Sequence, residues 1–530
     1  MAAQRKELFA AQDAEDKIAG SEEVGKYTEL AANGGTGRDD ADMYRLGRVQ
    51  ELKRNFHALA VLGLTSTVLI TWNGILVSLS FAYLNGGRAG AIYVFIGSWV
   101  AELLVAASLA EMASMAPTSA GQYHWVSEFA PPSVQKPFSY FAGWLAALTW
   151  QSYIAMTAYQ AAEIALNLAS LSNHNYAPTG WQGTLTTILV CVIIFLFNVY
   201  GAKHLPLIEG FILLFLIIGF FAVLIPIWTL SPMVPRSEAF GSFSNFGGWS
   251  SIGAACVIGQ LSPVGSLTGV DAAAHMSEEV KDASRNVPRM MIGTLFLSGI
   301  TGFVVTVSLS FCIQDVETQV YDSTSIYPFI DIFAVAVGSN AGAIGMTAAM
   351  ILLAVFSSIN SMAAASRQAW AFARDNGLPF RNWFTKLTLI NSTPLPVNAM
   401  LASLGVSLAI ALLNIGGSEV FDSIYGLGSS AASVTYILCI GSLIWRRLFG
   451  ATLPPRRWSL GRFGLIINCL SLAFLVQFVV IAFFPLFRQV DAQTMNWGIA
   501  MFGGVAIISI SYYMVHGRKV YNGPVFLVRQ

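Results

Sequence analysis

Between residues 58 and 516 the chain is a succession of twelve long apolar runs. Each approaches the roughly 20 residues that carry a helix across a bilayer. Their limits fall at 58–84, 89–114, 138–170, 182–201, 207–231, 250–276, 290–314, 340–373, 396–415, 421–446, 463–487 and 495–516. In hydrocarbon every backbone N–H and C=O must be paired within the protein, which leaves only helices and closed barrels. The runs are continuous rather than alternating, and this excludes a barrel. Composition agrees: 55% of residues are hydrophobic and 11% charged, against about 25% charged in an ordinary soluble domain. The expected fold class is an all-α polytopic membrane protein with 12 transmembrane helices.

The formal net charge is zero, so bulk charge names no partner. No basic patch suited to nucleic acid lies away from the membrane flanks. The placement of charge is more informative. With the N-terminus in the cytosol, 26 of the 29 lysines and arginines fall in the tail, the inner loops and the C-terminus, and only Arg88, Arg236 and Arg488 lie outside. This is a strong positive-inside pattern, with both termini cytosolic. It puts residues 315–339 in an external loop. Residues 1–48 carry few large apolar side chains and are expected as a disordered cytosolic tail. Residues 49–57 (VQELKRNFH) are expected as an amphipathic lead-in at the membrane surface, and 517–530 as a cytosolic C-terminal tail. No signal-peptide pattern opens the chain. Cys191, Cys256, Cys312, Cys439 and Cys469 all sit inside apolar runs without C-x-x-C spacing, as buried helix residues rather than metal ligands or a disulfide framework. Asn391-Ser392-Thr393 matches a glycosylation acceptor but faces the cytosol on this topology.

Two runs are interrupted at mid-depth. The first holds Thr71-Trp72-Asn73-Gly74, and the sixth holds Gly265-Ser266-Leu267-Thr268-Gly269-Val270-Asp271. Glycine weakens a helix interior and permits positive φ. Unwinding frees backbone groups that only a cavity or a ligand can satisfy at that depth, and a half-helix N-terminus favours an anionic group such as a carboxylate. Close helix packing is the other use of such glycines, and the residues alone leave both readings open. Asp271 adds an ionisable group where burial is costly, a functional-site hypothesis in itself. The two interruptions lie five helices apart. That odd period fits a five-plus-five inverted repeat, with repeats near 58–231 and 250–446 and two added helices over 463–516.

Several stretches resemble the amino acid–polyamine–organocation (APC) superfamily of transporters. Ser277-Glu278-Glu279 through Asn286-Val287-Pro288 looks like the loop after helix 6 in that family, and Leu109-Ala110-Glu111 through Gln122-Tyr123-His124-Trp125 is similar to the end of helix 2. Arg367 through Arg374-Asp375-Asn376-Gly377-Leu378-Pro379, followed by Pro394-Leu395-Pro396, resembles the loop between helices 8 and 9. The lead-in Leu52-Lys53-Arg54-Asn55-Phe56 fits as well. The closest style is the fungal amino acid/choline branch, which includes GABA and choline permeases. The resemblance spans residues 50–520 and implies alternating access with helices 1 and 6 broken. By position it implies substrate-binding residues at Trp72, Asn73, Gly74, Thr268, Gly269, Val270 and Asp271. The family's helix 1 stretch is typically Gly-x-Gly; here its first position is Trp72, an indole expected to shrink or reshape the pocket. Gly265 and Ser266 stand where the family often has a gating aromatic.

Asp271 is expected to bind a substrate amine, carry a coupled proton, or serve as a structural carboxyl. Glu102, in mid helix 2, is a second buried acid, either a coupling site or a satisfied structural group. Glu163 and Glu209 lie near helix ends and are expected to reach water. Helix 5 lacks the basic residue that substitutes for sodium in some relatives. Polar stripes run along helix 3 (Thr149, Gln151, Tyr153, Thr157) and helix 8 (Ser357, Ser358, Asn360, Ser361), as helix glue or substrate contacts. The six histidines are scattered without paired metal spacing, and no nucleophile elbow appears in context. The expectation is no enzyme, no cofactor and no metal. The chain is read as a secondary transporter of a small amine-bearing solute (an amino acid, GABA, choline or related metabolite), placed in the plasma membrane ahead of the vacuole; the residues leave the coupling ion (proton or sodium), exchange and facilitated movement open. A non-transporting nutrient sensor on the same fold and a polytopic membrane enzyme are the alternatives.

Overall fold

The computed structural model describes residues 34–173, 176–323, 325–416, 418–491 and 495–528. Among these, ten helices are long and apolar enough to cross a membrane: Ala58–Val77, Gly87–Met115, Gly180–Tyr200, Ala202–Leu230, Ile252–His275, Ala283–Cys312, Asn340–Arg374, Gly426–Phe449, Gly461–Ile481 and Gly498–Phe526. Two expected runs fall outside that set. Val397–Leu413 is apolar but only 17 residues long. Gln135–Ser172 has 38 residues and carries Thr149, Gln151, Ser152, Thr157 and Gln160 along its middle, too many polar groups for lipid. Its surroundings explain them. It packs against Asn340–Arg374, Ser418–Phe449, Gln122–Phe129 and Gly180–Tyr200, so it meets protein on several sides.

The peripheral helices show the opposite pattern. Along Leu205–Leu230 the exposed residues Leu207, Phe211, Leu214, Ile218, Phe221, Ile225 and Trp228 recur every three or four positions, a lipid-facing stripe. The other face turns inward and carries Glu209. The sequence placed this acid near water, but it is fully buried and accepts a hydrogen bond from Asn360 at 3.1 Å. Glu163 is buried too. Both lie near helix ends that face neighbouring helices rather than solvent. Cys469, expected inside, is exposed on the outer surface of Gly464–Ile481.

Both interruptions are real breaks, and they differ. The first span ends its opening helix (Ala58–Leu69) at Ile70, whose φ of 32° is left-handed, and resumes at once as Thr71–Val77. The expected break at Trp72-Asn73-Gly74 is thus displaced; those residues are helical. The second span runs through Ile252–Gly259 and Leu261–Leu267, unwinds, and resumes as Ala272–His275. Gly269 sits in the gap with φ of 123°, a conformation that favours glycine.

The first and last described segments share one face of the bundle, where Lys136 donates to the Arg518 carbonyl at 2.6 Å and Gly47 lies against Leu527. Residues 1–33 of the expected disordered tail lie outside the described residues. Residues 34–48 depart from that expectation: Thr36 and Asp39 form a capping box that starts the helix Gly37–Arg45. Asp39 is also held by a distant segment, accepting from the N–H groups of Asp282 (2.9 Å) and Ala283 (3.0 Å). Arg54 stands 3.4 Å from Asp39 and donates to the carbonyls of Ser277 and Val280. The lead-in at 49–57 is correspondingly extended. Phe56 bridges to Val280, and Leu52 and Phe56 are buried. Few apolar residues suffice because ion pairs and caps replace them, with partners some 240 residues away that local composition cannot reveal. Burial acts to raise the Asp39 carboxyl, but Arg54 and three backbone N–H groups overcome it and hold it below its ordinary value.

Candidate substrate site

The two breaks lie side by side. Thr71 Oγ1 donates to the Ser266 carbonyl at 2.8 Å, and the hydroxyls of Ser78 and Ser262 meet at 2.8 Å. Gly74 makes this approach possible, since a Cβ there would stand 2.7 Å from Ser266 Oγ. Gly74 and Gly269 therefore answer the two readings of the glycines differently: one permits close packing, the other permits the unwound backbone. Between the breaks and the long helix Gln135–Ser172 lies a cavity of about 40 Å³, room for two or three waters. It is lined by Val68, Leu69, Ile70, Gly74, Tyr153, Met156, Thr157, Gln160, Gly265, Ser266, Thr268 and Ser361. None of these carries a charge. Admitting a solute requires side chains or helices to move apart.

The seven residues expected to bind substrate divide. Gly74 and Thr268 line the cavity. Gly269 borders it through Leu69, Tyr153 and Val68, which a methyl on its Cα would meet at 3.6–3.7 Å. Asn73 is fully buried and ties three helices together: its Nδ2 donates to the Met350 carbonyl at 3.0 Å, and its Oδ1 accepts from Gln160 at 3.1 Å. Trp72 does not fill the pocket. It is buried edge-on against Phe220 with ring centroids 6.3 Å apart, because a helix that restarts at Thr71 turns this indole toward Leu205–Leu230. Val270 is buried and, like Trp72, is not part of the cavity wall.

Asp271 also stands back from the cavity. Its Oδ2 accepts from Gln122 at 2.6 Å and its Oδ1 from the Tyr436 hydroxyl at 2.5 Å. His275 Nε2 lies 3.3 Å from Oδ2. The Nδ1 of that imidazole is 2.8 Å from the Ser119 carbonyl, an acceptor only, so Nδ1 carries the hydrogen. Asp271 thus joins the broken span to the helices Gln122–Phe129 and Ser418–Phe449. A line of rings continues from it to the cavity: Trp150 packs edge-on against His275 at 5.5 Å, and Tyr153, a cavity residue, packs edge-on against Trp150 at 5.6 Å. Glu102 is buried with its Oε1 unpartnered, within electrostatic reach of Tyr436.

Sequence reasoning missed Ile70, Met156, Gln160, Gln122 and Tyr436. Gln160 alone carried a signal, since it extends the polar stripe of Thr149, Tyr153 and Thr157 by one more turn.

Below the second break the chain enters a charged cluster on the face that carries the first and last described segments. Glu278 is fully buried, receives Arg374 (2.9 Å) and Thr118 (3.0 Å), and is held at about 2: burial acts to raise it, but the Arg374 charge and these hydrogen bonds prevail. Glu279 receives Arg367 at 2.7 Å, and Arg48 pairs with Asp375. Apart from Arg48, these residues lie in the stretches on which the family resemblance rested.

A family model described as Amino acid permease matches residues 62–507. The chain belongs to the amino acid permease family. A putative amino acid/polyamine transporter of Macrophomina phaseolina is 31% identical to this permease over 441 residues, covering 82% of this chain and 96% of that protein. A choline transporter of Saccharomyces cerevisiae is 27% identical, covering 89% and 83% of the two chains. An amino-acid permease of Arabidopsis thaliana is 25% identical, covering 91% and 95%. Among solved structures, a mutant of the Eremococcus coleocola manganese transporter matches with a TM-score of 0.55 at 12% identity, over 86% of this chain and 93% of that one. That likeness concerns fold alone. The protein is a multi-pass membrane permease and not an enzyme.

Proposed function

We propose that the permease moves a small amine-bearing solute, such as an amino acid, GABA, choline or a related metabolite, by alternating access around the cavity between its two breaks. The observation that carries this reading is an uncharged cavity formed by both breaks at once, mainly apolar with a few hydroxyl and amide groups. Such walls suit a net-neutral zwitterion or a single quaternary ammonium. The hydroxyls of Thr157, Ser266, Thr268 and Ser361 and the Gln160 amide meet polar ends. The Tyr153 ring offers its face to an ammonium. The names of the yeast and Arabidopsis relatives support the same solute classes.

Gly74 and Thr268 are the direct contacts in this reading. Trp72, Asn73, Gly269, Val270 and Asp271 shape the site from behind, and Asp271, with Glu102, transmits occupancy to the coupling ion, a proton or sodium. The framework is twelve spans, with inverted five-helix repeats over 58–231 and 250–446 and two further helices over 463–516. The pairing of breaks five runs apart through Thr71–Ser266 and Ser78–Ser262 supports it. The distribution of Lys and Arg supports cytosolic chain ends, and the plasma membrane is the proposed location.

Purified permease in liposomes tests this with labelled choline, GABA and a panel of amino acids. Saturable uptake of one of them is expected, lost in Asp271→Asn although the variant reaches the membrane. A protein that binds a solute but shows no saturable flux is the sensor of the alternative reading.

A further inference from the structure

On the side of the bundle opposite the first and last described segments, an open groove of about 610 Å³ runs between the end of Leu205–Leu230, the short helix Arg236–Gly241 and the last turns of Ala283–Cys312. Its size falls in the ~300–1,000 Å³ range of small-molecule sites. Its walls are Trp228, Phe240, Phe303, Val307 and Phe311, with Arg236 at its end. The groove continues the stripe of Leu207 to Trp228 that faces lipid, and Trp228 and Phe240 are themselves exposed. Trp228 is fixed in place, donating from Nε1 to Ser308 Oγ at 2.8 Å. It sits within the last turn of its helix and Arg236 six residues beyond the end, the level at which tryptophan and arginine meet the headgroup layer.

The charge at this level is unusual. Arg88, also on this side, is buried and donates to the Ile313 carbonyl at 3.0 Å. Glu238, two residues from Arg236, faces Arg88 at 3.8 Å instead. Arg236 is exposed, and no carboxylate pairs with it among the described residues. A free guanidinium ending an aromatic and aliphatic trough matches an anion joined to a hydrocarbon chain. Guanidinium pairs with phosphate through two parallel hydrogen bonds.

We propose that this groove is a binding site for one phospholipid, its phosphate on Arg236 and an acyl chain laid along Phe303, Val307 and Phe311. The lipid lies across Leu205–Leu230 and Ala283–Cys312 and fastens these two helices at their ends.

Native mass spectrometry of the full-length protein, titrated with phosphatidylglycerol, tests the site. Wild type retains one tightly bound lipid. Arg236→Gln, a change at an exposed position, weakens that binding by about tenfold, and Arg236→Lys, which keeps the charge but not the paired hydrogen bonds, restores only part of it. Val307→Trp, which fills the trough, removes it. Diacylglycerol, which has the chains without the phosphate, and ergosterol bind no more tightly to wild type than to Arg236→Gln. A phospholipid with brominated chains quenches the fluorescence that wild type has in excess of Trp228→Phe. Equal lipid retention by wild type, Arg236→Gln and Val307→Trp overturns the proposal, as does equally tight binding of diacylglycerol or sterol. None of these measurements depends on transport, so they stand apart from the flux assay.

Discussion

The two broken spans occupy matching places in the sequence but break by different means. The first bends at one residue, Ile70, and keeps helical hydrogen bonding on either side; Asn73 and Gly74 both donate to the Ile70 carbonyl. The second stays unwound from Thr268 to Asp271, carries a glycine at φ of 123°, and follows it with a carboxylate and an imidazole bonded to other elements. The first is a kink held by packing and by the hydrogen bonds of Thr71, Asn73 and Ser78. The second is a hinge held by polar contacts, and its continuation, residues 277–283, is where the N-terminal segment fastens. A kink transmits force as a unit, whereas a gap with its own tethers can be reset by exchanging them.

The sharpest way to break this comparison is Asp271→Ala. It leaves Gln122, Tyr436 and His275 facing a buried void, with an expected loss of about 3–5 kcal/mol, read as a large drop in melting temperature. An equal loss from Asn73→Ala in the first span would mean that both breaks rest equally on polar tethers.

Acid comes next. Glu278 is held at about 2 against an ordinary 4.5. Its stabilisation, on the order of 3 kcal/mol, is fully present above pH 4.5 and disappears as pH falls toward 2, because the unfolded state takes up the proton first. Glu278→Gln should be less stable at neutral pH and lose this acid-dependent part, seen by comparing thermal melts across that range.

Glycine substitutions separate the two devices. At Gly269 an added methyl has space but the wrong backbone, so Gly269→Ala should cost about 1–3 kcal/mol that no neighbour relieves. At Gly74 the conformation is ordinary and the obstacle is Ser266. Gly74→Ala should cost about 1–2 kcal/mol, and Ser266→Gly should recover most of it. A double-mutant cycle with coupling at 269 rather than 74 would reverse the assignment.

The smallest expected effect is at the clamp. Thr36→Ala removes the side chain that caps Gly37–Arg45 and steadies Asp39, a loss of about 1 kcal/mol. Hydrogen exchange should then rise over residues 277–283 and stay unchanged over 70–77.

Much of this was legible in the chain. The apolar runs located most helix ends to within a few residues, because the need to pair every backbone group in lipid leaves little choice; Ala283–Cys312 starts seven residues before its run and Gly464–Ile481 stops six before the end of its own. Gly269 and Asp271 announced the second break for the same reason. The first was misplaced by a few residues because a β-branched residue in the left-handed region contradicts local preference; only the fit of Gly74 against Ser266 and of Trp72 against Phe220 makes Ile70 the bend. Glu209 and the N-terminal segment were misread because burial there depends on partners distant in sequence, Asn360 for one and Asp282 and Ala283 for the other. The polar interior of Gln135–Ser172 had a visible cause, a stripe on one face, but which stripe residues reach the cavity is set by the neighbouring helices.

Asp39 also bears on the order of events during synthesis. Its caps on residues 282 and 283 bind the earliest described part of the chain to a loop made some 240 residues later. The segment must therefore wait, undocked, while half of the membrane helices are inserted. Its closing contact certifies that the second broken span has arrived in place, and a nascent permease stalled before that point would show these first residues as free chain open to protease.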